Sequence, residues 1–491
     1  MEGSKPAPKL GVIVAVLATA GIVASLMSTL MVPLIGKLPT LLHTSASNAS
    51  WAITVTLLAA AVTTPAIGRL GDLYGKRRML LVCAVPLIVG SVVCALAGSL
   101  LPMILGRALQ GVGAGMVPVG ISALRELVPP QKLGSSIALI SSSLGIGGAL
   151  GLPLAAAVAE HADWHVLFWG AAALSAVVAA LIWFFIPATP AQAQGRFDLV
   201  GALGLGGGLV ALLLAVSKGA DWGWGSATTL GMLAAAVVVL LLWVWWELRS
   251  SAPLVDLRVT ARGQVLMTNA ASVVVGFAMY ASALIAPQLL QLPTSTGYGL
   301  GQSMQAAGLW MAPAGLMMML VSPLGAKLSA LRSPKFTLVS GSLIVAVGYG
   351  ASMGLMGSVW GLLAVSMIIN SGVALAYGAM PALIMGAVPP SETGSANSFN
   401  TLMRSIGTTL AAAVVGMVLA HMSTTMGTAT VPSHDGFRTG MLIGCGVALV
   451  AAATAFAIPY RRTPAVVAAA VTAPELQAGP VPAALKSTEK V

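Results

Sequence analysis

Charge is scarce in this chain: charged side chains make up 8% of the 491 residues, and only 13 are acids. Soluble domains carry charge on about a quarter of their residues, so a water-soluble globule is excluded. Cysteine is nearly absent, limited to Cys83, Cys94 and Cys445. The first two are separated by about 16 Å if their apolar stretch is helical, too far for a disulfide, and neither a disulfide framework nor a metal site follows. Aromatics account for 5% of the chain. The net charge of +11 comes from basic residues scattered between apolar segments. A nucleic-acid partner would need a clustered basic face with interleaved aromatics, so none is expected. No G-x-x-x-x-G-K-[ST] phosphate loop occurs, so ATP hydrolysis is excluded. No enzyme activity and no cofactor are expected.

Hydrophobic residues, by contrast, make up 57% of the chain, and its mean hydropathy is +0.94. The 56 glycines and 28 prolines fall mostly inside apolar runs. Bilayer helices tolerate both residue types, because neighbouring helices satisfy the freed backbone groups. A hydrocarbon core of about 30 Å needs about 20 apolar residues per crossing. Fourteen segments meet that need, at roughly 11–35, 51–70, 79–98, 101–123, 136–159, 165–187, 198–217, 227–247, 264–290, 303–326, 336–356, 360–386, 396–420 and 438–459. The start, with Lys5 and Lys9 ahead of a long apolar run, reads as a retained first span.

An even number of crossings puts both termini on one side. With these spans, nineteen of the 24 lysines and arginines fall on the side of the termini, including Arg69, Lys76, Arg77, Arg78, Arg125, Arg249, Arg258, Arg262, Lys327, Arg332 and Lys335. Three lie opposite (Lys37, Lys218 and Arg438), and Arg107 and Arg404 fall within apolar segments. Basic residues concentrate in cytoplasmic loops, so both termini are expected in the cytoplasm.

An internal repeat points to function. Pro65 to Gly71, followed by a basic loop, can be set against Ser322 to Leu328 and the loop through Lys335. This pairs the second helix of the first six with the second helix of the last six. The expected organisation is a cytoplasmic start over 1–10, a six-helix bundle over 11–187, an inserted helix pair over 198–247, a second bundle over 264–459 and a disordered cytoplasmic tail over 460–491. Two six-helix halves around a shared site are the usual construction of alternating-access transporters.

The loop Gly68-Arg69-Leu70-Gly71-Asp72-Leu73-Tyr74-Gly75-Lys76-Arg77-Arg78 follows a pattern of Gly, Asp, Gly and a basic run. Arg107-Ala108-Leu109-Gln110-Gly111, Phe197-Asp198, Trp222-Gly223-Trp224 and Pro253-Leu254-Val255-Asp256-Leu257-Arg258 add further matches. On these residues the chain resembles the major facilitator superfamily, and within it the fourteen-helix drug:proton antiporter group, from about residue 10 to 460. The resemblance implies an all-α polytopic membrane protein in the major facilitator fold: two six-helix bundles plus an inserted pair. Lys76 stands where the family has arginine.

Gly68 and Gly75 permit close helix approach or unusual backbone geometry, and Asp72 offers a carboxylate for the N-terminal dipole of a facing helix or for Arg69 or Arg78. By resemblance, Gly68, Arg69, Asp72, Gly75, Lys76, Arg77 and Arg78 close the cytoplasmic side when the halves rock. A plain positive-inside anchor is the alternative, though Asp72 is unnecessary for anchoring. Arg107 lies within the fourth segment, where burying a cation demands a reason. By resemblance it serves proton coupling with Gln110; snorkelling or hydrogen bonds to carbonyls are the alternatives. Gly147, Gly148, Gly151 and Pro153 in the fifth segment resemble the antiporter motif of exporters, with the proline one residue late. Small-residue packing without directional meaning is equally compatible.

A pocket for apolar compounds calls for adaptable and aromatic side chains. Met27, Met31, Tyr280, Gln288, Trp310, Met311 and Tyr377 are the candidates, joined by Asn400 and Arg404. The first segment carries no acid, where the antiporter group commonly has an aspartate, and no acid falls mid-membrane. Coupling is therefore expected to use a boundary acid, Glu126 or Glu160, with Arg107. Arginines without acids should disfavour cationic substrates and admit neutral or anionic ones. The expected protein is a monomeric exporter in a bacterial inner membrane, moving small amphipathic compounds against protons. Export of anionic metabolites or lipid flipping on the same scaffold, or a non-transporting membrane receptor, are the alternatives.

Overall fold

The computed structural model describes residues 9–31, 34, 38–49, 51–188, 190–426 and 429–460. The expected N-terminal start up to residue 8, Lys37 and the tail from 461 lie outside the described residues. Among the described residues, fourteen helices are long and apolar enough to cross a membrane. They are α1 (Leu10–Thr29), α2 (Trp51–Tyr74), α3 (Lys76–Ala95), α4 (Leu100–Leu127), α5 (Pro130–His161), α6 (His165–Phe185), α7 (Leu199–Trp222), α8 (Ala227–Glu247), α9 (Gly263–Gln291), α10 (Met304–Leu331), α11 (Pro334–Leu355), α12 (Val359–Met385), α13 (Thr393–His421) and α14 (His434–Phe456).

Helix satisfies every backbone group within one segment, the requirement a bilayer imposes. Most of the starts from α7 onward carry a side-chain cap. Asp198, Ser226, Ser303, Ser333, Ser358 and Ser433 accept from the backbone N–H groups of Gly201, Thr229, Ala306, Phe336, Gly361 and Gly436. Prolines 65, 86, 153, 287, 313, 323 and 381 sit inside helices, where packed neighbours offset their missing donors.

Three local details depart from the sequence reading. The fourth span is broken near Ala114, giving segments Leu100–Gly113 and Met116–Leu127. The first helix ends at Thr29, short of the expected 35. Between α13 and α14 the chain forms an antiparallel hairpin, β1 (Ser423–Met426) with β2 (Ala429–Pro432), too short to show as a periodic pattern.

The halves meet reciprocally: α2 packs on α13 and α5 packs on α10. The second helix of each half therefore faces the fifth helix of the other, as two repeats about a pseudo-twofold axis require. Small residues let these backbones approach. A side chain on Gly68 would lie 2.5 Å from Gly394 O, and one on Gly315 would lie 2.6 Å from Gly145 O. The inserted pair is asymmetric. Helix α7 packs against both α2 and α13, and Leu205, Leu209 and Leu213 join Ala61, Phe399 and Leu402 in one cluster. Helix α8 packs on α7 and is otherwise largely uncovered.

Candidate functional site

Two regions between the halves carry the polar chemistry, one near each end of the bundle. The end bearing Lys76, Arg77, Arg78, Arg125, Arg258 and Lys335 is called the basic end.

At the basic end, Gly75 has φ +92°, a conformation that side chains rarely adopt, and it turns α2 sharply into α3. This turn sets Asp72 against the first turn of α13. The fully buried Asp72 carboxylate accepts from Gly394 N (2.9 Å) and Ser395 N (2.8 Å). A carboxylate on two free N–H groups at a helix start gains from charge-assisted bonds and from the helix dipole. Lys76, also buried, donates to the same carboxylate and lies 3.9 Å from Glu126.

Arg125 adds a crossing contact, donating to Val388 O (3.1 Å) and Thr393 Oγ1 (2.8 Å), and Ser122 Oγ reaches Thr393 O (3.2 Å). Arg77 and Arg78, expected in the same cluster, turn away from α13. Arg77 donates to Trp183 O (2.6 Å) and lies over that indole, and Arg78 lies over Tyr74. They sit as interfacial cations on aromatic faces. Buried Arg69 joins neither set and lies within electrostatic range of Glu392.

The buried Arg107 lies in the N-terminal half. It donates to Ala52 O of α2 (3.0 Å), Met27 O of α1 (2.7 Å) and Gln110 Oε1 (2.7 Å), and Gln110 continues to Ser91 Oγ of α3 (2.8 Å). Hydrogen bonds to carbonyls were one of the readings open in the sequence, and Arg107 makes two of them. Of the two boundary acids expected to act with Arg107, Glu126 stands with Lys76 at the basic end, and the Glu160 side chain lies outside the described residues.

Opposite the basic end, a cavity of about 200 Å³ opens between α2, α7, α9 and α13. Thr54, Leu57, Ser217, Tyr280, Thr408 and Thr409 are among its lining residues, and no charged side chain is. One turn deeper on α13, buried Arg404 donates to Asn400 Oδ1 (3.1 Å) and Thr401 Oγ1 (3.0 Å) and lies 4.9 Å from the Tyr377 ring centre. Asn400 in turn bonds Asn269 Oδ1 (2.9 Å) and Ser272 Oγ (2.7 Å) on α9.

Of the expected pocket residues, Tyr280 lines this cavity, and Tyr377, Asn400 and Arg404 form the cluster beneath it. The others stand elsewhere. Met27 and Met31 are fully packed in the N-terminal half. Trp310 stacks edge to face with exposed Trp360 and bonds Gln302, as an interfacial aromatic does, and half-buried Met311 follows it on α10. Exposed Gln288 bonds its own helix at Leu284 O.

The fifth-span motif serves two packings. A side chain on Gly147 would lie 2.6 Å from Ser25 Cβ and one on Gly151 would strike Thr29, both on α1; Gly145 faces Met318 of α10. Gly148 faces open space, and half-buried Pro153 lies within the helix. Outside the spans, the Asp163 carboxyl is held below the usual carboxylate range by hydrogen bonds from the His165 backbone and ring. It therefore stays anionic near neutral pH.

Several residues of this geometry carried no functional signal in the sequence. Arg125 read as one more loop cation, and Thr393-Gly394-Ser395 is a plain small polar run whose only clue is that it could open a helix.

A family model described as Major Facilitator Superfamily matches residues 17–412. The chain belongs to the major facilitator superfamily. Members of this superfamily are transporters and not enzymes. Among curated relatives, the multidrug resistance protein Stp of Mycobacterium tuberculosis (strain CDC 1551 / Oshkosh) is 30% identical over 373 residues, covering 75% of this chain and 68% of that protein. The tetracenomycin C resistance and export protein of Streptomyces glaucescens is 28% identical, covering 77% and 70%. The uncharacterised MFS-type transporter Rv1877 of M. tuberculosis is 29% identical over 82% of this chain, which spans 58% of that protein's length. Among solved structures, the human organic anion transporter MFSD10 superposes with a TM-score of 0.66 at 14% identity, covering 91% of this chain and all of that one. The proton:xylose symporter XylE superposes at 0.62 and 15% identity, covering 91% and 96%. Both likenesses concern the fold.

Proposed function

We propose that this protein is a secondary active exporter of small amphipathic compounds, working by proton-coupled alternating access with both termini in the cytoplasm. The observation that carries the reading is the polarity of the bundle: closed at the basic end by Asp72 on α13, and hollow in the opposite half between the same two helices. On the positive-inside rule the basic end is cytoplasmic, so this is the outward-facing state. Rocking the halves would part Asp72 from Gly394 and Ser395 and open the cavity inward. The relatives named for multidrug resistance and tetracenomycin export support export as the direction.

The uncharged cavity wall favours neutral substrates, and Arg404 one turn below it favours those carrying a negative group. Glu126, beside Lys76 at the gate, and Glu160 are the acids assigned to coupling. Accumulation of neutral, anionic and cationic dyes in a pump-deleted host tests the substrate class. Neutral and anionic dyes should be expelled; preferential expulsion of cations would overturn it. In proteoliposomes, Glu126→Gln and Glu160→Gln together should abolish transport driven by a pH gradient, and unchanged transport would remove both from the coupling path.

A further inference from the structure

The linkers that join the inserted pair to the two halves end on the very residues that meet at the gate. Before α7, Gln192 N and Ala193 N both donate to the backbone oxygen of Asp72 (3.0 Å each). After α8, Leu254 O accepts from Ser395 Oγ (2.9 Å), and Ser395 N is the donor to Asp72 Oδ2. The second linker is held in turn by Glu247, the last residue of α8. Its buried carboxylate accepts from Leu254 N (3.1 Å) and Val255 N (3.3 Å). Leu254 and Val255 are themselves buried in one apolar cluster with Ala61, Phe399 and Leu402, so the linker has a fixed seat.

We propose that the inserted pair α7–α8 is a clasp on the cytoplasmic gate, and that Glu247 is the positioning residue that sets it. This rests on the gate assignment above. Helix α7 already bridges α2 and α13 through its apolar face, and the two linkers add a polar tie to each side of the gate. Asp72 cannot leave Ser395 without either pulling the linkers or carrying the pair along. An ionised Glu247 holds both N–H groups of its linker, whereas a protonated one loses acceptor capacity and loosens Leu254 from its seat.

Among the described residues, no cation lies within ion-pair distance of Glu247. Arg258 is turned to Leu248 O and Arg249 to the Trp245 ring, while Asp256 accepts from the N–H groups of residues 258 and 259. Asp198, the cap of α7, is the charged group within electrostatic range, and its carboxylate is held by Trp246 Nε1 (2.9 Å). The clasp should therefore slacken as the cytoplasmic side is acidified.

The test is the distance between spin labels at Tyr74→Cys and Leu331→Cys, exposed sites at the basic ends of α2 and α10, in full-length protein lacking Cys83, Cys94 and Cys445 and held in lipid nanodiscs. Glu247→Gln should raise the ratio of long-distance to short-distance populations roughly tenfold at pH 8, the scale of a lost charge-assisted bond. It should also abolish the rise expected of the unmutated chain as the cytoplasmic side is acidified. Glu247→Asp should restore that pH profile. Ser395→Ala cuts the same tie from the other side, should reproduce both effects, and carries the test if Glu247→Gln does not fold. Asp72→Asn reports on the gate itself. If it opens the basic end while Glu247→Gln and Ser395→Ala leave distances and pH profile unchanged, the clasp is wrong and the gate stands. If Asp72→Asn also changes nothing, the gate assignment falls and the clasp with it.

Discussion

Arg107 and Arg404 are both buried in the middle of a helix bundle, yet their surroundings differ in kind. Arg107 is tied to backbone carbonyls of two other helices and to Gln110, so it stitches α1, α2 and α4 together. Among the described residues, Arg404 bonds side chains on its own helix alone and presents its guanidinium to the Tyr377 ring, one turn from the cavity. A cation held by main-chain oxygens has its geometry fixed by the fold. One held by an amide, a hydroxyl and a ring can exchange those partners for a ligand. On this difference we propose that Arg107 serves the integrity of the N-terminal half and that Arg404 serves substrate recognition.

The largest expected effect is on Arg107. Arg107→Ala removes the donor from two buried carbonyls and should cost about 3 kcal/mol or more, read as a large drop in thermal unfolding temperature in nanodiscs. Arg404→Gln should lower that temperature little while cutting efflux of anionic dyes roughly tenfold relative to neutral ones, the loss of one charge-assisted contact. Equal destabilisation by both substitutions would break the comparison. Ser91→Ala, which removes the acceptor of Gln110 Nε2, should cost about 1 kcal/mol with substrate preference unchanged.

The smallest effect belongs to an exposed acid that serves as a control on both cations. Asp163 is anionic at a depressed pKa, so its contribution to stability is present above the ordinary carboxylate range and lost as pH falls through the folded value. Asp163→Asn should flatten the acid limb of thermal stability below about pH 4 and leave transport near neutrality unchanged.

The crossings were legible in the sequence because a bilayer demands long apolar segments, and the inserted pair followed from aligning the repeat around it. Asp72 was legible too, since a carboxylate at a glycine-flanked turn has a facing helix start as a natural partner. The direction in which each side chain points was not. Helices apolar on all sides carry little periodicity, so Trp310 looked like pocket lining although it packs on Trp360 at an exposed edge. The cavity wall of threonine, alanine and leucine reads in sequence as ordinary packing. Arg125 looked like topology alone, because its acceptors, in the loop after α12 and at the start of α13, are brought near only by the meeting of the halves.

The central claim is that the cytoplasmic gate and the outer cavity open in alternation. Thr408→Cys in the cavity and Ser398→Cys behind the gate, labelled with a membrane-impermeant maleimide in right-side-out and inside-out vesicles, test it directly. In the state described here, Thr408→Cys should label from outside and Ser398→Cys from neither side; Asp72→Asn should make Ser398→Cys reactive from the cytoplasmic face and protect Thr408→Cys. Simultaneous labelling of both positions, or labelling of Thr408→Cys from the cytoplasmic side alone without Asp72→Asn, would contradict it.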